Sequence, residues 1–219
     1  MKMSDFMERE MPQDPTAVVE TRLAHETHRL ATALLVEAAD RPTVPRAALA
    51  QLRDFVVANL RHHHETEDEL LWPLIAAAAP AAAQGLAALS EEHARLDTAL
   101  DRLAVVAIKE GSPARVALRE AAVAVQESVQ AHLLHEEPVL FPVLREHITP
   151  SEWDDFAHQV IASTPPVAGH LMIGFLDEAG DPAEVELMLK GMPEPVRSLL
   201  PELRRQAASD LRVLRGNAA

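Results

Sequence analysis

The sequence predicts an all-α protein, an antiparallel up-down four-helix bundle followed by a C-terminal helical extension. Composition is the first observation: the 219 residues include 7 Gly and no Tyr, and aromatic residues make up 3%. Segments typical of strands, with β-branched and aromatic residues between turn signals, are therefore rare. The second observation is that apolar residues recur at helical spacing in four long segments. Four helices of roughly 25 residues with short connections favour an antiparallel bundle.

The first two predicted helices form one hairpin. Asp14 followed by Pro15 suits a helix start, with an acidic N-cap and proline at the first helical position. This helix is expected to end at Asp40, which precedes an Arg-Pro pair. The second helix begins shortly afterwards and has apolar residues at helical spacing up to Pro73. An Ala- and Pro-rich loop over residues 76–85 is expected to follow it.

The next two predicted helices form a second hairpin. Apolar periodicity covers about residues 86–109, and Gly111 is expected to end this third helix. A Ser-Pro pair then starts a fourth helix, which continues to about Leu144. Residues 15–149 are therefore predicted to form the four-helix domain.

The pattern changes beyond Pro150, where two of the eleven His residues lie. Further helices are expected over about residues 151–163, 168–179, 182–191 and 195–214. Asp181 and Glu184 form a capping-box pattern at the start of the third of these helices. Residues 150–219 are therefore predicted to form a helical extension packed on the bundle.

Charge and composition exclude several classes of function. The chain has 34 acidic and 20 basic residues and a formal net charge of −14, so its surface repels phosphate backbones and nucleic acid is not an expected partner. Cys is absent, which excludes disulfides, thiolate metal sites, iron–sulfur clusters and thiol catalysis. Residues 1–15 lack the apolar segment of a signal peptide, and no apolar stretch approaches the length of a membrane span. A cytoplasmic protein with no membrane association is expected.

Two segments of the sequence match each other at an offset of 69 residues. Both contain His-x-x-x-Glu, an acidic residue after the Glu, and a Leu-aromatic-Pro ending. The matching pairs are His63 and His132, Glu67 and Glu136, Asp68 and Glu137, Leu71 and Leu140, Trp72 and Phe141, and Pro73 and Pro142. A further pair, His25 in the first helix and His93 in the third, repeats at an offset of 68 residues. The two hairpins therefore look like two copies of one unit.

This repeat predicts a metal centre inside the bundle. A His and a Glu four residues apart lie on one helix face, about one turn from each other. One such pair from each of two helices, with one His from each of the other two, would bring four imidazoles and two carboxylates together. Imidazole with carboxylate suits iron, manganese or zinc, and carboxylates from different helices bridge two metals in bundle cores. A single pair at this spacing is more often a solvated surface interaction, but its duplication favours a shared metal site.

Other polar residues lie close to the two motifs. His28 and His135 follow the ligand His residues of the first and fourth helices by three positions, so each is a candidate further ligand or a hydrogen-bond partner of a ligand. His62 and His64 point about 100° away from the ligand between them, and are expected to face solvent or a neighbouring helix. The acidic residue after each ligand Glu is expected to support a ligand or to face solvent. The Leu-aromatic pairs are expected to pack in the core beneath the site.

Over about residues 15–149 the sequence resembles the hemerythrin-like (HHE cation-binding) domain family. The resemblance is carried by the His of the first helix, the two His-x-x-x-Glu motifs with their Leu-aromatic-Pro endings, and Glu-Glu-His-x-x-Leu in the third helix. It implies a non-haem di-iron centre (Fe²⁺/Fe³⁺) with an oxo or hydroxo bridge, which binds dioxygen, nitric oxide or peroxide. The ligands that it implies, with the two Glu as bridges, are His25, His63, Glu67, His93, His132 and Glu136.

One position departs from the oxygen-carrying members of this family. They have a second His four residues after the His of the third helix, whereas here Asp97 follows His93. Asp97 could be a ligand, or the coordination position could be open. At the offset of the repeat Asp97 corresponds to His28, so these two side chains could face each other across the pseudo-twofold axis. An open position favours reactivity over storage, and the pattern is more similar to bacterial hemerythrin-like proteins and to the eukaryotic iron-sensing domain.

The expected function is that of a di-iron protein that binds or senses O₂, NO or peroxide, with or without redox turnover of oxygen or peroxide. Tyr is absent, which weighs against radical-generating and phenolate chemistry. One alternative is a di-iron oxygenase acting on an organic substrate, with a pocket closed by the extension near His170 or Trp153. Another is a regulatory module whose extension contacts a partner when the iron or redox state changes. The sequence leaves open whether the protein is an enzyme.

Overall fold

The computed structural model describes residues 14–109 and 112–217, and every regular element in these two ranges is helical. The bundle region contains α1 (Thr16–Asp40), α2 (Arg46–Thr66), a π-helix (Glu67–Leu71), α3 (Trp72–Ala78), a 3₁₀-helix (Pro80–Ala82), α4 (Ala83–Val105) and α5 (Ser112–Glu146). The extension contains α6 (Pro150–Ser163), α7 (Gly169–Ala179), α8 (Pro182–Leu189), α9 (Glu194–Arg197) and α10 (Leu200–Leu214). The prediction of an all-α protein is confirmed.

The four long helices of the bundle region pack in pairs and bury two apolar clusters. α1 packs against α2 and α5, and α4 packs against the same two helices. What we name the main apolar cluster includes Leu35, Leu52, Leu100, Val125 and Phe175. What we name the end apolar cluster includes Val18, Leu71, Trp72, Leu86 and Leu140. Along each helix, the predicted metal ligands lie between residues of the main cluster and residues of the end cluster.

The start of α1 differs from the prediction. Pro15 occupies the N-cap position, and no side chain caps the helix. The carboxylate of Asp14, which was predicted to be the cap, accepts a hydrogen bond from Nε of Arg145 at 2.8 Å. This bond to the guanidinium lowers the pKa of Asp14. The predicted cap is therefore wrong, because a charged partner from the end of α5 binds the side chain instead.

The predicted loop over residues 76–85 is also wrong. The second helix does not end at Pro73: the π-helix passes directly into α3, and the backbone N–H of Trp72 donates to the carbonyl of Glu67, five residues earlier. The expected loop residues form the end of α3, a 3₁₀-helix that begins at Pro80, and the start of α4. These residues form helices because Ala has the highest helix propensity and because Pro is tolerated in a first helical turn, where a backbone N–H would have no intrahelical partner.

Two predicted boundaries shift in the later helices. α4 ends at Val105 rather than near residue 109. The single last helix expected over residues 195–214 is divided into α9 and α10. Pro201 lies in the first turn of α10, where a residue without an N–H leaves no intrahelical bond unmade, and so it marks a new helix start.

The N-cap half of the capping box predicted for α8 is confirmed, while the Glu184 carboxylate accepts from Arg22 of α1. The Asp181 side chain accepts hydrogen bonds from the backbone N–H groups of Ala183 and Glu184.

The predictions made for residues 1–13 and for Gly111 lie outside the described residues. Within the described part of the chain, no helix combines the length and the apolar character needed to cross a membrane.

The extension contacts the bundle through apolar side chains. α7 packs against α1 and α2, and α10 packs against α7 and α2. Phe175 of α7 is fully buried, and its ring stacks on the ring of Phe55 with centroids 5.7 Å apart. On α6, the indole N–H of Trp153 donates to Glu20 of α1 at 2.7 Å. Apolar and polar contacts thus join the two segments, while the domain boundary at residue 149 stays a prediction.

Candidate metal centre

The structure brings the six predicted ligand residues together between the two apolar clusters. They are His25 from α1, His63 from α2, Glu67 from the π-helix that follows it, His93 from α4, and His132 and Glu136 from α5. The side chain of His63 is 14% exposed, and the other five residues are buried. The first motif spans the end of α2 and the start of the π-helix, an element often found at functional sites.

The donor atoms of these residues form two groups. His25, His63, Glu67 and Glu136 each offer one atom to the first group, and all four atoms lie within 4.8 Å of one another. Glu67, His93 and His132 form the second group within the same distance. Glu67 belongs to both groups, so the two groups are adjacent and share a carboxylate.

Each of the two carboxylates divides its oxygens between the hairpins. Oε1 of Glu67 lies 3.2 Å from Nε2 of His63, and Oε2 lies 3.4 Å from Nε2 of His93. Oε1 of Glu136 lies 3.6 Å from Nε2 of His25, and Oε2 lies 3.1 Å from Nε2 of His132. Each of the two carboxylates therefore lies close to one imidazole of each hairpin.

A metal pair fits the unpaired donors at this position. Nε2 of His25, Nε2 of His63, Oε2 of Glu67 and both carboxylate oxygens of Glu136 are buried without a hydrogen-bond partner among the described residues. Unpaired buried polar atoms are rare in folded proteins because each loses its hydration without compensation. They all face one another, and imidazole with carboxylate is a donor set that suits iron, manganese or zinc.

Burial and nearby charges set the pKa values in this cluster. Burial, and then repulsion from Glu136, raise the pKa of Glu67 well above its usual range. Burial opposes the ionisation of Glu136 too, but charge attraction to His25 and to His132 holds its pKa at about 2. Burial lowers the pKa of His63 well below its ordinary value. A bound cation would favour the ionised form of Glu67 and the neutral form of the imidazoles around it.

The acidic residues that follow the two ligand Glu residues bind ligand imidazoles. Nδ1 of His25 donates to Glu137 at 3.0 Å, and Nδ1 of His93 donates to Asp68 at 3.0 Å. Arg29 donates to the same Glu137 oxygen at 2.7 Å. Each acidic residue therefore supports the His of the other hairpin. Nε2 of His25 has no hydrogen-bond partner among the described residues, whereas Nε2 of His93 lies 3.1 Å from Nε2 of His132.

A third carboxylate, that of Glu92, binds two imidazoles of α5. Glu92 of α4 accepts hydrogen bonds from Nδ1 of His132 at 3.1 Å and from Nδ1 of His135 at 2.9 Å. The side chain of His135, a candidate further ligand, is 60% exposed and lies outside both groups of donor atoms. His135 is therefore a hydrogen-bond partner at the edge of the centre.

Aromatic rings cover the centre on the side of the end apolar cluster. The ring of Trp72 stacks on His93 and the ring of Phe141 stacks on His25, each with centroids 6.0 Å apart. These two aromatic residues occupy matching positions of the repeat, and each covers the His of the other hairpin. Both belong to or pack against the end apolar cluster, as expected for core residues beneath the site.

The remaining candidate residues lie beside the donor groups. The ring of His28 is buried, and its centroid lies 4.6 Å from that of His63. Asp97 is 47% exposed, and its Oδ1 lies 3.3 Å from Nδ1 of His64. Neither His28 nor Asp97 belongs to a donor group. Asp97 instead contacts His64.

His64 was expected to face either solvent or a neighbouring helix, and it is buried against the neighbouring helix α4. Its ring stacks on that of His93 with centroids 4.5 Å apart, and its residue exposure is 2%. His62 is less buried and lies 2.9 Å from Oγ of Ser163 on α6. Asp97 follows His93 by four residues and therefore shares a face of α4 with it, so that His64 can contact both residues.

The residues that build the centre fall within one match to a known family. The model of the hemerythrin HHE cation binding domain matches residues 16–144. This range covers more than half of the chain and includes both repeats and all six residues of the two donor groups. The comparisons with curated proteins and with solved structures give no match. The chain belongs to the hemerythrin HHE cation-binding domain family.

Proposed function

We propose that the protein is a non-haem di-iron protein that binds or senses O₂, NO or peroxide, with or without redox turnover of oxygen or peroxide. The main support is the arrangement of Glu67 and Glu136, each of which directs one oxygen toward the His pair of each hairpin. Carboxylates that reach the same two places from different helices are the donors that bridge metal pairs in bundle cores. Membership of a cation-binding family supports the same conclusion.

The ligand residues divide into two sets in this proposal. One iron would be held by His25 and His63, the other by His93 and His132, and both by Glu67 and Glu136. When bound, an iron pair supplies reversible redox change and a binding position for O₂, NO or peroxide. Manganese and zinc accept the same donors, so the identity of the metal is the first thing to measure.

Other residues of the chain orient the imidazoles and exclude water. Asp68, Glu92 and Glu137 accept hydrogen bonds from ligand Nδ1 atoms and thereby direct each Nε2 inward. The main and end apolar clusters enclose the centre along the helix axes. In such a low-dielectric position, charge interactions with a bound metal are stronger than in water.

The oxygenase alternative has less support. His170, one of the two residues considered for a substrate pocket, donates from Nε2 to Asp210 at 2.9 Å within the extension. Trp153 is bonded to Glu20. An open groove of about 430 Å³ lies between the end of α2, the π-helix and α6, and its lining contains none of the six proposed ligands. No contact among the described residues singles out an organic substrate.

We also propose the antiparallel up-down order of the four bundle helices. The end apolar cluster combines residues near the starts of α1 and α4 with residues of α3 and the end of α5. An up-down order brings these four chain segments to one end. We further propose a cytoplasmic location, and the net charge of −14 supports the lack of a nucleic-acid partner.

Metal analysis tests the di-iron proposal. Protein purified without oxygen is expected to contain about two iron ions per chain, and less than about one would contradict the proposal. His63→Ala and Glu136→Ala each remove a donor and should lower the iron content. His158→Ala changes an exposed His of α6 and should leave the iron content unchanged.

Optical spectra of the iron-loaded protein then separate binding from turnover. Absorption bands that change reversibly when O₂ or NO is added and removed would support carriage or sensing. Continuous consumption of peroxide or O₂ would support redox turnover. Conversion of an added organic compound would instead favour an oxygenase.

A further inference from the structure

Trp72 is the most readily oxidised side chain of the bundle region. Residues 16–149 contain no Cys, Met or Tyr, and Trp72 is their only Trp. Cys and Met are the side chains that oxidants attack first, and an indole ring releases an electron far more easily than a phenyl ring or an aliphatic chain. With Tyr absent, an organic radical in the bundle therefore has to form on Trp72.

Trp72 lies directly against a proposed ligand. Its ring stacks on the imidazole of His93, with centroids 6.0 Å apart and ring planes 14° apart. Stacking of this kind brings the π systems of the two rings face to face. Nε2 of the same imidazole lies 3.4 Å from Oε2 of Glu67 inside the centre. A single imidazole thus connects the indole with the position of a bound metal.

The surroundings of Trp72 allow an electron to leave without a proton. The residue is 6% exposed, and its Nε1 is buried without a hydrogen-bond partner in the described part of the chain. No described side chain is therefore in place to take the indole proton when the ring is oxidised. Asp68 accepts a hydrogen bond from the His93 imidazole on which Trp72 stacks, and its negative charge favours a positive charge on the neighbouring indole.

The two halves of the repeat differ at this position. Phe141 matches Trp72 and stacks on His25 with the same centroid separation of 6.0 Å. Packing over a ligand imidazole therefore requires an aromatic ring but not an indole. A buried indole N–H ordinarily has a hydrogen-bond partner, so the unpartnered Nε1 of Trp72 is a cost that a phenyl ring would avoid. The presence of Trp beside His93 thus points to a property that Phe lacks, which is its ease of oxidation.

We propose that Trp72 donates one electron to the centre when hydrogen peroxide reacts there. Reduction of H₂O₂ to water requires an electron pair and a proton for each oxygen atom. When one iron of the pair is ferrous and the other ferric, the ferrous ion supplies one electron and Trp72 supplies the second. Solvent supplies both protons, both irons end as ferric ions, and Trp72 becomes an indole cation radical that keeps its N–H. The inference rests on the proposed di-iron function and adds the electron donor to it.

Electron paramagnetic resonance (EPR) tests this inference in Trp153→Phe, in which Trp72 is the only Trp that remains. The iron-loaded variant is reduced to one ferrous ion per pair, mixed with one equivalent of H₂O₂ and frozen rapidly. An organic radical is expected, and its hyperfine splitting should change when the protein is made with ring-deuterated Trp. A radical that is unaffected by deuterated Trp would overturn the inference, and so would the absence of a radical from protein with about two iron ions per chain.

Two controls in protein that retains Trp153 separate the possible sources of a radical. Trp72→Phe keeps a ring over His93 and should lose the indole radical, and an unchanged radical yield would overturn the inference. Zinc accepts the same donors but does not change its oxidation state, so zinc-loaded unmodified protein should give no radical. A radical from the zinc-loaded protein would show that peroxide attacks Trp directly, which would also overturn the inference.

Mass spectrometry provides a measurement that needs no substitution, in case a variant does not fold. After the same peroxide treatment of unmodified, iron-loaded protein, added oxygen is expected on Trp72. Added oxygen on Trp153 alone would overturn the inference. An unmodified protein that binds no iron pair would instead contradict the proposed function.

Discussion

At the scale of single residues, the centre depends on carboxylates beyond the proposed ligands. Asp68 and Glu137 each follow a ligand Glu, and each accepts a hydrogen bond from the His that the other hairpin contributes. Consecutive helical residues point about 100° apart, so a ligand Glu can face the centre while its neighbour faces the adjacent helix. The two hairpins therefore hold each other's imidazoles in place.

Removal of one of these carboxylates should weaken iron binding. Asp68→Asn leaves a neutral acceptor for Nδ1 of His93, and the iron affinity is expected to fall about ten- to a hundredfold. Glu137→Gln acts on His25 through the matching contact and should give a similar loss. Competition with a chelator, followed by absorption, measures the affinity. Glu127→Gln at an exposed position of α5 is the control, and equal affinities of Asp68→Asn and this control would contradict the prediction.

At the scale of elements, α6 is bound to α1 through Trp153 and Glu20. Burial, partly offset by the hydrogen bond from Trp153, raises the pKa of Glu20 above 4.5. Between the pKa of the unfolded chain and this higher value, the folded state binds more protons than the unfolded state. Glu20 therefore stabilises the folded state at lower pH, and this contribution to the free energy of unfolding is lost as the pH rises through that interval.

Glu20→Gln should remove this pH dependence while an amide oxygen remains to accept from Trp153. Compared with the unmodified protein, the variant is expected to gain relative stability as the pH rises from about 4 to about 7. Urea unfolding at a series of pH values measures the difference. A difference in the free energy of unfolding that is the same at every pH would show that Glu20 has no raised pKa in the folded protein.

The contact between α7 and α10 gives a second prediction at this scale. A Cβ added at Gly174 would lie 2.7 Å from Cβ of Ala207, so Gly174→Ala must push the two helices apart. Overpacking of this kind costs about 1–3 kcal/mol. Gly169→Ala is the matched control on the same helix, because no atom lies within 4 Å of its added Cβ. Chemical unfolding should show lower stability for Gly174→Ala alone.

At the scale of the whole molecule, the metal is expected to be part of what stabilises the fold. Without it, buried carboxylates and imidazoles lack partners between the two apolar clusters. A ligand that binds only the folded state, at a free concentration 100 times its Kd, stabilises that state by about 2.7 kcal/mol. Thermal unfolding without oxygen should therefore give a higher Tm for the iron-loaded protein than for chelator-treated protein. Identical Tm values would contradict a metal centre in the core.

The extension contributes buried apolar side chains to the main apolar cluster. Phe175 of α7 and Leu211 of α10 belong to the same apolar cluster as Leu35 and Leu52 of the bundle. The sequence predicts the helices of the extension, because apolar periodicity is a local property. It does not show which face of the bundle these helices cover, since that contact joins residues far apart in the chain.

By itself, the sequence determined the helical class and predicted the six residues of the candidate centre. The helical class follows from apolar residues at helical intervals. The candidate residues follow from the repeated His-x-x-x-Glu, from the matching pair of His25 and His93, and from the resemblance to the family. The tertiary structure alone decided that Asp14 binds Arg145, that His64 is buried against His93, and that Asp97 contacts His64. Helical periodicity assigns each residue to a face of its own helix, whereas contacts between helices depend on how far each helix is rotated and how closely the axes approach.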